Sequence, residues 1–115
     1  MVIKIIFANI SILLPADIST KTEEKLLVRE QSLRSTILLV PHHGSKYSSS
    51  PTFTKAVATI VAIISCGANN LFGHPHSSAL ERYHSVGVKL FRTDIDGEVI
   101  FSTDGMQYEI KTFSS

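Results

Sequence analysis

"TILLVPHHGSKYSSSP", residues 36 to 51, changes chemistry twice within one short stretch. Its first part, 36–41, is a short apolar run, the pattern of a strand covered on both faces of a sheet. Two adjacent histidines, a glycine, a lysine and a group of serines follow. The stretch closes on Ser50–Pro51, an N-cap residue with proline at the first helical position. A strand, a polar loop and a helix start in succession are the repeating unit of an α/β layered protein.

Reading outward, the same alternation continues. Upstream, "VIKIIFA" and "ISILLPA" predict a hairpin over 2–7 and 10–15, with Asp17 just beyond the second strand. Thr20 and Glu23 have capping-box spacing and predict a helix over 21–30. Downstream, a helix over 51–58 carries Phe53 and Val57 on one face, and "IVAIIS" (60–65) is a second buried strand. The loop "CGANNLFGHPH" comes next, with Asn69 and Asn70 as turn formers. Ser77 or Ser78 then caps a helix over 78–86 that Gly87 ends. Strands over 88–93, 98–103 and 106–112 follow, joined by the turns "DIDG" and "TDG". The order β-β-α-β-α-β-α-β-β-β predicts a single α/β domain over 1–115 with a mixed β-sheet and no linker or repeat.

Composition bounds what such a domain does. Its 115 residues suit one domain, and 43% hydrophobic with 18% charged residues is ordinary for a globular chain. A net charge of +1 gives no long-range steering toward nucleic acid or anionic lipid, so any polyanion must be bound locally. No apolar run is long enough to cross a bilayer. The opening stretch reads as two strands rather than a signal peptide, because Lys4, Asn9 and Ser11 interrupt it. The single cysteine, Cys66, excludes an internal disulfide and reads as a small buried apolar side chain.

The polar residues with chemical potential all follow the C-terminal ends of predicted strands: Asp17, His42 with His43, and His74 with His76. α/β sheets build their sites there. A carboxylate with imidazoles is the ligand set of zinc, manganese or iron hydrolases. Asp17 equally fits a plain strand-end residue. In an extended loop His42 and His43 point in opposite directions, so one of them at most reaches a given ion. The other stands behind it or faces substrate, unless both are simply solvated. Gly44, the serines 45 to 50 and Lys46, ahead of a helix N-terminus, suit an anion such as phosphate. His74 and His76 flank Pro75, a spacing that fits either chelation or closure of the loop, and His84 reads as a helix-surface residue.

Taken in order, "ILLPAD", "ILLVPHHGSKYSSSPTFTKAV", "AIISCGANNLFGHPH" and "LERYHSVGVKLFRTDIDGEVIF" resemble the C-terminal half of a metallo-β-lactamase-fold domain. More narrowly, they are similar to the C-terminal domain of ComEC-type competence proteins, which take part in DNA internalisation. The resemblance runs over roughly residues 3 to 105 and rests on "PHHGS…SS", "GHPH" and "RTD…G" together. It implies helices on one face of the sheet, as in half of an αββα sandwich, and a divalent metal, zinc or manganese. In its terms Asp17 is a bridging ligand, with Ala16 where the family has glycine, and His43 is the next ligand with His42 beside it. His74 and His76, together with Ser45, Lys46 and Ser48, then face a nucleic-acid substrate or support the ligands from behind. The family's His-x-His-x-Asp-His motif has no match here, and no histidine precedes Asp17. The resemblance therefore implies a chain inactive alone, whose apolar sheet face is covered by self-association or by a complementary N-terminal half. A non-catalytic half-domain serving assembly or binding is the alternative. So is a small hydrolase whose site is completed across a dimer by His74 and His76.

Overall fold

A computed structural model of the chain describes residues 2–29, 32–67 and 73–113. Its elements are β1 (Ile3–Phe7), β2 (Ile10–Leu14), α1 (Thr20–Arg29), β3 (Ile37–Leu39), α2 (Pro51–Val57), β4 (Val61–Ile64), α3 (Ser77–Ser85), β5 (Lys89–Arg92), the single helical turn α4 (Thr93–Asp96), β6 (Glu98–Thr103) and β7 (Tyr108–Phe113). Asn69 and Asn70 lie outside the described residues.

β1 to β5 form one mixed sheet in sequential order: β1 is antiparallel to β2, and β2 through β5 are parallel. Every parallel step goes to the next neighbour in the same direction. Crossovers of one hand then put α1, α2 and α3 on the same face. The register shows the result. Leu13, Leu38, Ala62 and Leu90 line up across the strands, and the first three are buried with Phe53, Val57, Tyr83 and Val88 in the main core. The mixed sheet is the arrangement expected from the order of elements.

The other face is equally apolar. Ile3, Ile5 and Phe7 of β1 share it with Ile12, Ile37, Val61, Leu14, Leu39, Ile63 and Phe91. Here the structure departs from the expected single sheet. β6 and β7 pair only with each other, as a separate two-stranded ribbon, and "DIDG" is the helical turn α4 rather than a β-turn. The ribbon leaves the β5 edge and its tip lands on the first hairpin, where the Asn9 amide donates to the Gly105 carbonyl at 2.8 Å. It therefore crosses the face opposite the helices, and Ile10, Ile37 and Val61 are buried there. The β1 edge stays open: Ile3, Ile5 and Phe7 are 44%, 46% and 53% exposed.

Two helix starts also differ from expectation. Thr20 and Glu23 do not close a capping box. The Thr20 hydroxyl donates to the Tyr47 carbonyl at 2.9 Å, and the Glu23 carboxylate turns inward to the serine loop. α3 is capped not by Ser77 or Ser78 but by His76, whose Nδ1 accepts from the Ser78 amide at 3.1 Å. An imidazole lone pair here does what a serine or aspartate oxygen usually does. Ser50 caps α2 as expected, accepting from the Phe53 amide at 3.2 Å.

Candidate functional site

Asp17, His43 and Ser65 follow the ends of β2, β3 and β4, three adjacent parallel strands, and meet above the sheet edge. His43 Nδ1 lies 2.6 Å from the Ser65 carbonyl oxygen, and His43 Nε2 lies 3.6 Å from Asp17 Oδ1. An oxygen acceptor that close to Nδ1 requires the proton on that nitrogen. With Nδ1 so engaged, it is Nε2 that faces a carboxylate oxygen. Nε2 and the carboxylate oxygen, both on exposed side chains, stand at a spacing that a shared cation can bridge. A carbonyl holding the far nitrogen is the usual support of a metal-binding histidine.

Strained backbone brings these groups together. Ala16 sits at φ +60°, the left-handed region where glycine is at ease, and its carbonyl accepts from the His42 amide at 2.9 Å. His42 (φ 50°, ψ 42°) and His43 (φ 53°, ψ 27°) are both left-handed, so the loop is a tight turn rather than the extended segment expected. The two rings still part. Consecutive non-glycine residues in this region cost of order 1–3 kcal/mol each and persist where the surroundings hold them. Gly44 supplies that hold. A methyl group there would lie 2.6 Å from Pro75 Cβ, and the Gly44 carbonyl accepts from the His76 amide at 2.8 Å. Backbone contact thus welds "PHHG" to "GHPH".

His42 turns away from Asp17 to this second loop. Its ring centroid lies 5.6 Å from that of His74, at 55°. Its Nδ1 is buried with no hydrogen-bond partner among the described residues. Burial, followed by the neighbouring histidines 42, 43 and 76, holds His74 below the usual histidine range. Together with Ser45, Lys46, Tyr47, Gly73 and His76 these rings line a pocket of about 460 Å³. His76 contributes to the wall, and its Nδ1 lone pair is committed to the start of α3.

The serine loop is not open to an anion in the way its composition suggests. Its amides already hold one: the fully buried Glu23 carboxylate accepts from Ser49 at 2.5 Å and from Ser50 at 2.9 Å. Ser48, expected to face substrate, is fully buried and donates its hydroxyl to the Ile18 carbonyl at 2.6 Å. Ser45 is buried and its hydroxyl accepts from the Tyr47 amide at 3.1 Å. Ser49 meets the Tyr83 hydroxyl at 2.6 Å, and Arg82 donates to the Ser48 carbonyl at 2.9 Å. Burial pushes the Tyr83 hydroxyl well above the usual tyrosine range. The loop is a clamp between α1 and α3, built because its small residues let carboxylate and backbone approach closely. Of the expected substrate-facing group, Lys46 remains exposed, its ammonium 5.1 Å from the Tyr47 ring centroid.

The "RTD" motif reaches the site through the backbone. Thr93 Oγ1 accepts from the Cys66 amide and donates to the Cys66 carbonyl, each at 2.8 Å, so it pins the residue after Ser65. The pin is itself braced by a bidentate pair, Arg92 to Asp94 at 2.7 and 3.1 Å. That pair holds the Asp94 carboxyl below the usual carboxylate range. Burial, with Asp94 beside it, raises the Cys66 thiol.

Known proteins resemble the chain over most of its length. Over 87% of its length the chain is 36% identical to Competence protein ComA of Neisseria gonorrhoeae. It is 31% identical over 79% of its length to ComE operon protein 3 of Bacillus subtilis. A third relative, Recombination protein 2 of Haemophilus influenzae, is 37% identical over 77%. The chain is similar to a segment of competence-related proteins. It spans 15%, 12% and 11% of the lengths of these three relatives. No family model matches the chain, and no solved structure matches it.

Of the expected ligands, the structure brings Asp17 and His43 together and directs His42 into the pocket. Among the described residues no three histidine, cysteine, aspartate or glutamate side chains converge on one point. Asp17 and His43 fit a shared cation all the same. Their 3.6 Å separation can be bridged by an ion about 2.0–2.2 Å from each donor. Sequence reasoning missed Glu23, Thr93 and Tyr47. Tyr47 left a signal as an aromatic next to a lysine in a polar loop, and Thr93 lay within the "RTD" motif.

Proposed function

We propose that this chain contributes part of a divalent-metal hydrolase site for nucleic-acid phosphodiesters, in a competence-associated protein. Asp17 and His43 Nε2 hold zinc or manganese. Such an ion supplies Lewis acidity to a phosphoryl oxygen and lowers the pKa of water. The observation that carries the reading is His43, with Nδ1 held by the Ser65 carbonyl at 2.6 Å and Nε2 facing Asp17 at 3.6 Å. Relatives named for competence and for recombination support a role in handling DNA. Two protein ligands fall short of the three that catalytic zinc sites use. The remaining ligands would be supplied by groups outside the Asp17–His43 pair, on the same polypeptide or another. Zinc titration with imidazole nitrogen NMR tests the reading. The chain binds zinc weakly through His43 Nε2, and Asp17→Asn or His43→Asn each weakens binding at least tenfold. Binding that survives both changes overturns it.

A second reading, an assembly half-domain without chemistry of its own, is favoured by the exposed apolar β1 edge. Ile3, Ile5 and Phe7 on an open strand form an association surface. Sedimentation should then show self-association that Phe7→Lys abolishes; a monomer at all concentrations excludes self-association.

A further inference from the structure

We propose that the pocket beside the His43–Asp17 pair receives a single unstacked nucleobase of a nucleic-acid strand. This deepens the hydrolase reading and rests on it for the position of the phosphodiester.

Size and lining come first. The pocket holds about 460 Å³, within the range of small-molecule sites. Its walls are largely rings: His42, His74 and His76 within, Tyr47 at the mouth. The His42 and His74 rings stand 5.6 Å apart between centroids in this lining. Of the lining residues Lys46 alone carries a fixed positive charge, and it is exposed.

The polar groups of the lining are mostly taken. His42 Nδ1 is buried beneath the wall, Ser45 is buried with its hydroxyl accepting from the Tyr47 amide, and His76 Nδ1 caps α3. What the pocket presents to a ligand is mainly ring surface, which suits the face of a base better than a phosphate. The left-handed backbone of His42 costs stability and aims the ring into the pocket.

Tyr47 supplies the platform. It is 66% exposed, a large ring left in solvent, with the Lys46 ammonium 5.1 Å from its centroid. Aromatic ring and cation together are the standard means of holding a single-stranded base and its phosphate. The pocket histidine and the metal-facing histidine are neighbours in sequence, so base and phosphodiester would be held by one turn. A base inside a duplex cannot reach such a pocket without leaving the stack.

The test is calorimetric and NMR titration of the 115-residue chain in EDTA with deoxyadenosine and thymidine monophosphates, 2-deoxyribose 5-phosphate and inorganic phosphate. Both nucleotides should bind and shift the His42 and Tyr47 resonances. The sugar phosphate and inorganic phosphate should bind at least tenfold more weakly. Tyr47→Ala should weaken nucleotide binding about tenfold, while Tyr47→Phe keeps the ring and most of the affinity. Equal affinity for the sugar phosphate would make this an anion site and overturn the proposal. So would an absence of nucleotide binding at millimolar concentration, or a Tyr47→Ala variant that binds normally. Nucleotide binding in EDTA without zinc affinity sinks the metal reading alone; zinc affinity without nucleotide binding sinks this one alone.

Discussion

The two histidine loops look alike in sequence, each a pair of histidines with glycine and proline after a buried strand, yet they do different work. In "PHHG" the backbone is bent into the left-handed region at both histidines, and the rings are delivered to separate places. His43 faces a carboxylate and His42 faces a pocket. In "GHPH" one ring packs against His42, and the other caps a helix with the lone pair a ligand would need. Residue type and spacing therefore do not assign a histidine its role. The atom bonded to its far nitrogen does.

The contrast can be broken most severely at the weld between the loops. Gly44→Ala places a methyl 2.6 Å from Pro75 Cβ at a φ of +83°. It should cost about 3 kcal/mol or more in urea unfolding. A near-neutral result would mean the loops are not coupled there. Next comes the buried carboxylate behind the serine loop. Glu23→Ala leaves the Ser49 and Ser50 amides without their acceptor and should cost about 2–3 kcal/mol. Glu23→Gln keeps one good acceptor and should cost less.

Thr93 sharpens the comparison from a distance, as a positioning residue. Thr93→Val removes both hydrogen bonds to Cys66, at a cost of about 1–2 kcal/mol. It should also loosen the Ser65 carbonyl and lower zinc affinity about tenfold, while Thr93→Ser restores both. An unchanged His43 tautomer and unchanged zinc affinity would confine Thr93 to a structural role. The mildest test pairs the loops directly. His76→Ala loses a helix cap worth about 1 kcal/mol and leaves zinc binding intact, with rescue by His76→Asn. His43→Asn should do the reverse, with little change in thermal unfolding and loss of zinc binding. If both variants behave alike, the division between the loops is wrong.

Much of the frame was legible because it depends on local signals. "TILLVP" and "IVAIIS" read as buried strands by apolar runs, Ser50–Pro51 as a helix start and Gly87 as a helix end. Asp17 and the His42–His43 doublet were visible as polar residues at strand ends, and the choice of His43 came from the family resemblance. The Thr20–Glu23 spacing misled, because a buried carboxylate can serve a neighbouring loop better than its own helix. "SSS" misled for the same reason: its amides were already occupied by Glu23 from 26 positions upstream in sequence. The β6–β7 ribbon pairs with itself, and no local pattern distinguishes that from pairing with β5.

Sequence by itself determined the alternation of strands and helices, the apolar faces, and the chemical types gathered at the strand ends. These follow from periodicity, capping and composition, which act within a few residues. Tertiary structure decided which of those types meet. The tautomer of His43 depends on the carbonyl of Ser65, itself held through Cys66 by Thr93, the first residue of α4. The fate of the serine loop depends on one glutamate from α1. Such contacts join distant segments through single atoms, and atomic separations of a few tenths of an ångström set their chemistry, on a scale that residue spacing does not carry.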